Sequence, residues 1–267
     1  IEREGIEEII VTARQQAESL QDVPVTVSVM SEVDLDRYNI TSLTDAAKMV
    51  PNFRINAGGS GNVSNIYLRG IGSSSISAAF DQSVAINIDG VVVNRGRFIH
   101  NAYLDMSQIE VLKGPQSLYF GKSATAGVIS IKTNDPTDEF EAEFGVGVET
   151  EHETTFFEGV ISGPISDNLL ARLAFGTSET DELRENYSFA NDPMPYGNGT
   201  KPYFGEESTN ARLTLLWTPT ETLTAKLKYQ YSKYENDGGG TMYQEEWCAD
   251  GLGNPLAHQI TGVPGAT

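Results

Sequence analysis

Cysteine is almost missing from this 267-residue chain: Cys248 stands alone, so no disulfide can close within it and thiols do not fix its redox compartment. Histidine is nearly as scarce. His100, His152 and His258 have no ligand spacing among them, and no metal site is expected. Positive charge is the larger deficit, with 18 Lys and Arg against 37 Asp and Glu and a formal net charge of −19. Nucleic acid and anionic membrane surfaces both repel such a chain. No run of about 18 apolar residues occurs, which excludes a transmembrane helix but not a membrane barrel. The opening IEREGIEEIIVTAR lacks the basic and apolar regions of a signal peptide, so a secreted protein would be met here in its mature form. No Ser/His/Asp order or metal spacing marks a catalytic centre, and an enzyme is not expected.

What is present first suggests a nucleotide loop. Gly114 to Ser123 ends in Gly121-Lys122-Ser123, yet a phosphate cradle needs four residues between its first glycine and the Gly-Lys-Ser/Thr element. Here six intervene, Pro115 to Phe120, and Pro115 has no N–H to offer. The loop needs another explanation.

The first half reads as a small α+β domain ending near Asp135. Ile9 to Thr12 is a short β-favouring run followed by polar residues 14–21 that promise little packing. It is either an ordinary edge strand or a peptide that adds itself to a partner's sheet. From Pro24 the signals are regular. Val25 to Met30 alternates as a strand, and Ser31 with Asp34 starts the helix EVDLDRY. Ser42 with Asp45 repeats that spacing before LTDAAKM, which Pro51 stops. NIYLRG, SVAINIDGVVV with its Asp89-Gly90 hairpin signal, QIEVLKG and GVISIKT supply strands. AGGSGN and GIGSSSIS read as glycine- and serine-rich loops.

Past Pro136 the period becomes strictly two, and in each of five segments one parity is free of charge. The uncharged series are Phe140 to Val148 at even positions, then Phe157, Gly159 and Ile161, then Leu169 to Phe175, Ala211 to Trp217 and Leu223 to Tyr231 at odd positions. A soluble sandwich alternates too. Segments of about ten residues, aromatics near segment ends (Phe140, Phe157, Phe175, Trp217, Tyr229, Tyr231, Tyr234) and short turns opposite one long polar loop favour a membrane barrel. A lysine facing lipid at mid-bilayer costs about 2–4 kcal/mol, so Arg172, Arg212, Lys226 and Lys228 should face a wet interior. Five strands cannot close a barrel without unsatisfied edges in lipid, so this is expected to be the front part of a longer chain. A barrel wide enough to house the first domain needs about 22 strands.

Five motifs in order resemble the N-terminal plug of TonB-dependent outer-membrane receptors. EEIIVTA looks like the TonB box, DVPVTVSVMS like the first plug strand, and IYLRGIG carries an aliphatic-Arg-Gly element. SVAINIDGVVV resembles the plug hairpin, and IEVLKGPQSLYFGKSATAGVISIKTNDPT the passage where Gly-Pro opens a helix and the last strand leads to the barrel. The resemblance implies a TonB box and tether over residues 1–20, a plug over 21–135, and the first five or so barrel strands over 136–267. It also implies a multi-pass β-barrel in the Gram-negative outer membrane, in contact with its lipids. TonB would pair with Glu8, Ile9, Ile10, Val11, Thr12 and Ala13 as an added strand, and proton-motive force would drive import of a small ligand.

Arg69 and Lys113 would latch the plug to glutamates on the barrel wall. The family usually has arginine where Lys113 stands, and lysine loses the bidentate fork. Outward plug loops make Ser60, Asn62, Ser74, Ser75, Phe80, Arg95 and Arg97 the candidate substrate contacts. No resident cofactor is implied, although the transported ligand can carry iron, and the resemblance admits an accessory surface lipoprotein. A ferric siderophore or similar iron chelate leads as substrate. Carbohydrate, cobalamin or haem is the alternative, and a soluble β-sandwich binding or adhesion protein is the competing class.

Overall fold

In the computed structural model the described residues are 10–11, 18–21, 23–57, 64–73, 81–93, 103–150, 153–180 and 205–236. A two-residue ladder comes first, β1 (Ile10–Val11) antiparallel to β2 (Glu18–Ser19). The remaining plug elements are β3 (Thr26–Ser31), α1 (Glu32–Arg37), α2 (Leu43–Met49), β4 (Phe53–Ala57), β5 (Ser64–Leu68), β6 (Ile71–Gly72), β7 (Val84–Ile88), β8 (Val91–Val93), β9 (Met106–Lys113), α3 (Ser117–Phe120) and β10 (Gly127–Thr133). Five of these strands form one mixed sheet in the order β3-β9-β10-β7-β8, in which only β10 and β7 run parallel. A second sheet has the order β4-β5-β6.

Both longer helices start where a hydroxyl meets the first turn's orphan amides. Ser31 accepts from the Asp34 amide at 3.3 Å while Asp34 accepts from the Ser31 amide at 3.0 Å, closing a capping box. These bonds hold the Asp34 carboxyl below its ordinary pKa, the Ser31 side-chain bond most of all. Ser42 caps α2 in the same way, accepting from the Asp45 amide at 3.2 Å. Ser31→Ala is expected to lower stability by about 1 kcal/mol, read as a lower thermal midpoint with an unchanged far-ultraviolet spectrum.

The five-stranded sheet buries both faces. On one, Leu35, Leu43 and Ala46 of the helices and Phe53, Ile66 and Leu68 of the second sheet pack over Met30, Ile109, Val111, Ile129 and Ile131. On the other, Leu112, Val128 and Ala85 gather Phe120, Ala124, Val23 and Val11. Val11 is completely buried there, and Leu20 packs partly against the same cluster. The β-favouring run near the N-terminus is therefore seated on the domain, and the polar stretch after it contributes an apolar contact that its composition hid. At the Asp89-Gly90 turn both residues have positive φ, +48° and +89°, as a two-residue hairpin with matching twist requires.

The second half is an antiparallel meander of β11 (Glu141–Glu149), β12 (Thr154–Ser166), β13 (Leu169–Thr180), β14 (Glu206–Thr220) and β15 (Leu223–Asn236). Its register puts the uncharged parities on one face. Phe144, Gly159, Phe175, Ala211 and Tyr231 stand in one cross-strand row, and Ile161, Leu173, Leu213 and Tyr229 share another. Phe175 lies 5.6 Å from Phe157 and 6.3 Å from Phe144 between ring centroids, and a Cβ on Gly159 would come within 2.7 Å of Phe144 and Phe175. Along β13 the uncharged stripe runs from Leu169 to Phe175 and gives way to Thr177 and Glu179, a length of about 20 Å at the usual strand rise. Tyr234 falls on the opposite parity, with Gln230 and Ser232, and so does not join this stripe.

Candidate functional site

The apolar face of β11–β15 has no protein partner among the described residues. Phe140, Val146, Val148, Ile165, Leu227 and Tyr229 are each at least 65% exposed except Leu227 at 60%, although all are large and apolar. The other face is occupied by the plug. Arg172, Arg212, Lys226 and Lys228 all point to it and meet plug oxygens: Arg172 and Arg212 are buried there, Lys228 is largely so, and Lys226 stays half-exposed beside Asp135.

The seam is built from plug residues at turns and strand ends. Asp105, at φ +56° just before β9, takes a forked pair from Arg172, Nε to Oδ2 at 2.8 Å and Nη2 to Oδ1 at 2.6 Å. Their side chains are only 4% and 11% exposed. Asn134 donates to Asp105 at 3.0 Å and to Glu32 at 2.8 Å, which fixes the carboxylate in that orientation. Arg212, 3% exposed, donates to the Leu104 carbonyl at 2.5 Å. Asp89 uses its turn position to accept from the Thr133 amide at 3.0 Å and hydroxyl at 2.6 Å. Lys228 approaches Asp89 and Asp135 at 3.3 Å each and donates to the Thr133 hydroxyl at 2.7 Å.

Asp135 also accepts from Lys226 at 2.5 Å. Partial burial pushes its carboxyl up, but the Lys226 bond and the Lys228 and Lys226 charges outweigh that and hold it below the ordinary carboxylate pKa. One step further along the chain, Thr137 donates its amide to the Ser162 hydroxyl at 2.9 Å, pinning the passage from plug to sheet onto β12.

The structure brings together only some of the residues singled out from sequence. Within the TonB-box candidates, Ile10 and Val11 form β1, whereas Glu8, Ile9, Thr12 and Ala13 lie outside the described residues. The substrate candidates Ser60, Asn62, Ser74, Ser75, Phe80, Arg95 and Arg97 also lie outside them, as do His100, His152, His258 and Cys248. Arg69 is exposed at φ +51°, and Lys113 is 9% exposed at the end of β9. Burial, and then the neighbouring Arg69 charge, push the Lys113 ammonium below its ordinary pKa. Neither cation has an ion pair among the described residues, so strands β11–β15 supply no glutamate to that latch.

The latch that is present has the reverse polarity, plug carboxylates on wall cations, and sequence reasoning missed its plug half. Asp89 reads only as a turn residue and Asp135 only as a boundary. The signal available was the inward parity of four cations, which demands counter-charges without naming them.

The loop at Gly114 to Gly121 spends its amides locally. Gly114 donates to the Ala126 carbonyl, Gln116 to Ala124 and Gly121 to Ser117, at 2.8–3.0 Å, so these donors are turned to backbone and not to a phosphate.

Residues 19–128 match the model of the TonB-dependent Receptor Plug Domain family. Over 188 residues the chain is 29% identical to the vitamin B12 transporter BtuB of Vibrio vulnificus, covering 67% of this chain and 28% of that protein. It is 26% identical over 247 residues to the iron-regulated outer membrane virulence protein of Vibrio cholerae, covering 87% and 35%. Among solved structures, the ferric yersiniabactin uptake receptor FyuA of Yersinia pestis superposes with a TM-score of 0.66 at 23% identity, over 79% of this chain and 31% of that one. The chain thus spans about a third of the length of these relatives. Plug sheet and family match agree: residues 19–128 form a TonB-dependent receptor plug domain, and the antiparallel strands that follow it resemble those at the start of such receptors' barrels.

Proposed function

We propose that the chain is the N-terminal portion of an energised outer-membrane receptor that imports a scarce iron chelate, a ferric siderophore or a close analogue, into the periplasm. The observation that carries this reading is the two-sidedness of β11–β15: one face large, apolar and exposed, the other ion-paired to the plug. Lipid is the environment in which such an outer face carries no penalty and such an inner face is required. Residues 1–20 serve as TonB box and tether, 21–135 as plug and 136–267 as the first wall strands with their loops. TonB pairs with Glu8 to Ala13 as an added strand, and the pull is transmitted to the plug. Arg69 and Lys113, two cations side by side, await carboxylates from wall beyond β15. Ser60, Asn62, Ser74, Ser75, Phe80, Arg95 and Arg97 are the ligand contacts on the outward loops.

Iron is favoured by the iron-regulated relative and the ferric yersiniabactin receptor; the vitamin B12 transporter makes cobalamin the second reading. Growth on iron chelates as sole iron source, against a deletion strain, separates them. Loss of growth confined to one ferric chelate supports the first, and loss of cobalamin-dependent growth the second.

The membrane assignment has its own test. Leu213 sits inside the exposed stripe, opposite Leu173 and Tyr229. Leu213→Lys should cost about 2–4 kcal/mol in a bilayer, whereas the same change on a water-exposed face costs within about 0.5 kcal/mol. Heat-modifiability of the full-length receptor on gels reads the difference. A full-length protein recovered from the soluble fraction, with Leu213→Lys neutral, overturns the membrane assignment.

A further inference from the structure

A cavity of about 1040 Å³ lies between the plug's five-stranded sheet and strands β14–β15. Its floor is polar because of register. Asn87 of β7 and Ser130 of β10 are paired residues on one face of the sheet, and Lys132 and Gln108 form the next row. Its roof is Arg212, Lys226, Lys228, Gln230 and Ser232. The charge of this space runs against the chain as a whole: four cations (Lys132, Arg212, Lys226 and Lys228) face two carboxylates (Asp89 and Asp135), in a protein with 37 acidic and 18 basic residues.

Two groups in the chamber are not committed to the seam. Lys132 has no ion pair among the described residues, while Lys226 and Lys228 are held by Asp135 and Asp89. Asn87, 6% exposed, donates to the Ser130 hydroxyl at 3.2 Å, and its carbonyl oxygen has no hydrogen-bond partner among the described residues. A buried amide oxygen with no donor is costly unless something occupies the space before it.

We propose that this chamber is a transit station for the imported ligand, and that it selects anionic, oxygen-rich solutes, with Lys132 as the charge that receives them and Asn87 as the acceptor for a ligand hydroxyl or amide. The inference rests on the receptor reading above and adds its substrate class. The volume suits a chelate of siderophore size, and an excess of fixed positive charge between low-dielectric walls concentrates anions. Because three of the four cations are already engaged by plug or backbone oxygens, Lys132, which has no ion pair among the described residues, sets the chamber's selectivity.

The test uses the full-length receptor with its native cysteines, Cys248 among them, replaced by serine and a single new thiol, Ser232→Cys, in the chamber roof. The rates of modification by an anionic and by a cationic methanethiosulfonate are compared after each is normalised to its rate with glutathione. The chamber should favour the anionic reagent, Lys132→Gln should lower that preference about fivefold, and Lys132→Arg should keep it. Excess citrate should slow the anionic reagent with Lys132 present and have no effect in Lys132→Gln. Equal normalised rates, a preference for the cation, or a thiol that neither reagent reaches overturns the proposal. If these fail while energised uptake still depends on the TonB box, the chamber assignment falls alone; a receptor found in the soluble fraction removes the reading beneath it.

Discussion

Ile10→Pro should abolish energised uptake and leave ligand binding at the cell surface unchanged. Strand addition draws its affinity from backbone hydrogen bonds, and proline removes a donor and fixes φ in the middle of the proposed box. The same position pairs with Ser19 in the β1–β2 ladder, so the substitution also unseats β1 from the plug. Val11→Ala separates the two effects. It keeps every backbone donor and empties a fully buried site among Leu112, Phe120 and Val128. That variant should release the segment more readily yet transport normally. Uptake of radiolabelled ferric chelate, with binding measured on de-energised cells, reads both variants. Uptake unaltered in Ile10→Pro, or lost equally in both, would falsify the assignment of the box to this segment.

Arg172→Ala should be the most damaging single change in the seam. It leaves Asp105, 4% exposed and held by Asn134, as a buried carboxylate without its fork, a defect that costs about 3–5 kcal/mol. The plug then docks loosely on β13. Full-length receptor carrying the change should lose thermal stability by that order and sensitise cells to large antibiotics that an intact plug excludes. Asp105→Asn with Arg172→Met should recover much of the loss, since removing both charges removes the penalty as well. If the single variant unfolds within about 0.5 kcal/mol of the parent, the pair is solvated and the seam is not what holds the plug.

The features of the fold legible from sequence are those written locally. Period-two alternation fixed the face of the five uncharged series and of the four cations between them, because a one-residue slip would put Arg172 or Lys226 into the apolar stripe. Ser31 with Asp34 and Ser42 with Asp45 marked both helix starts through contacts three residues apart. Strand β4 escaped notice although Phe53, Ile55 and Ala57 alternate with Arg54 and Asn56, because a proline and a glycine-rich run flank it. The seam was out of reach for a different reason. Its cation-to-plug pairs join residues 67 or more positions apart, and parity says that a cation points inward without saying which carboxylate the plug will bring to it. Lys132 was hidden likewise, a lysine near a strand end whose lack of an ion pair among the described residues appears only once its neighbours are placed.

The first ladder of the plug, two residues long at the extreme end of the described chain, fixes how the molecule yields to traction. Force applied ahead of Ile10 meets an antiparallel pairing from its open end, so its bonds give way singly and in turn, as the teeth of a zip do, each bearing the load alone. Strand β3 lies behind it, paired over six residues with Gln108 to Lys113 of β9. A modest tug can thus unfasten the leader while the body of the stopper stays whole.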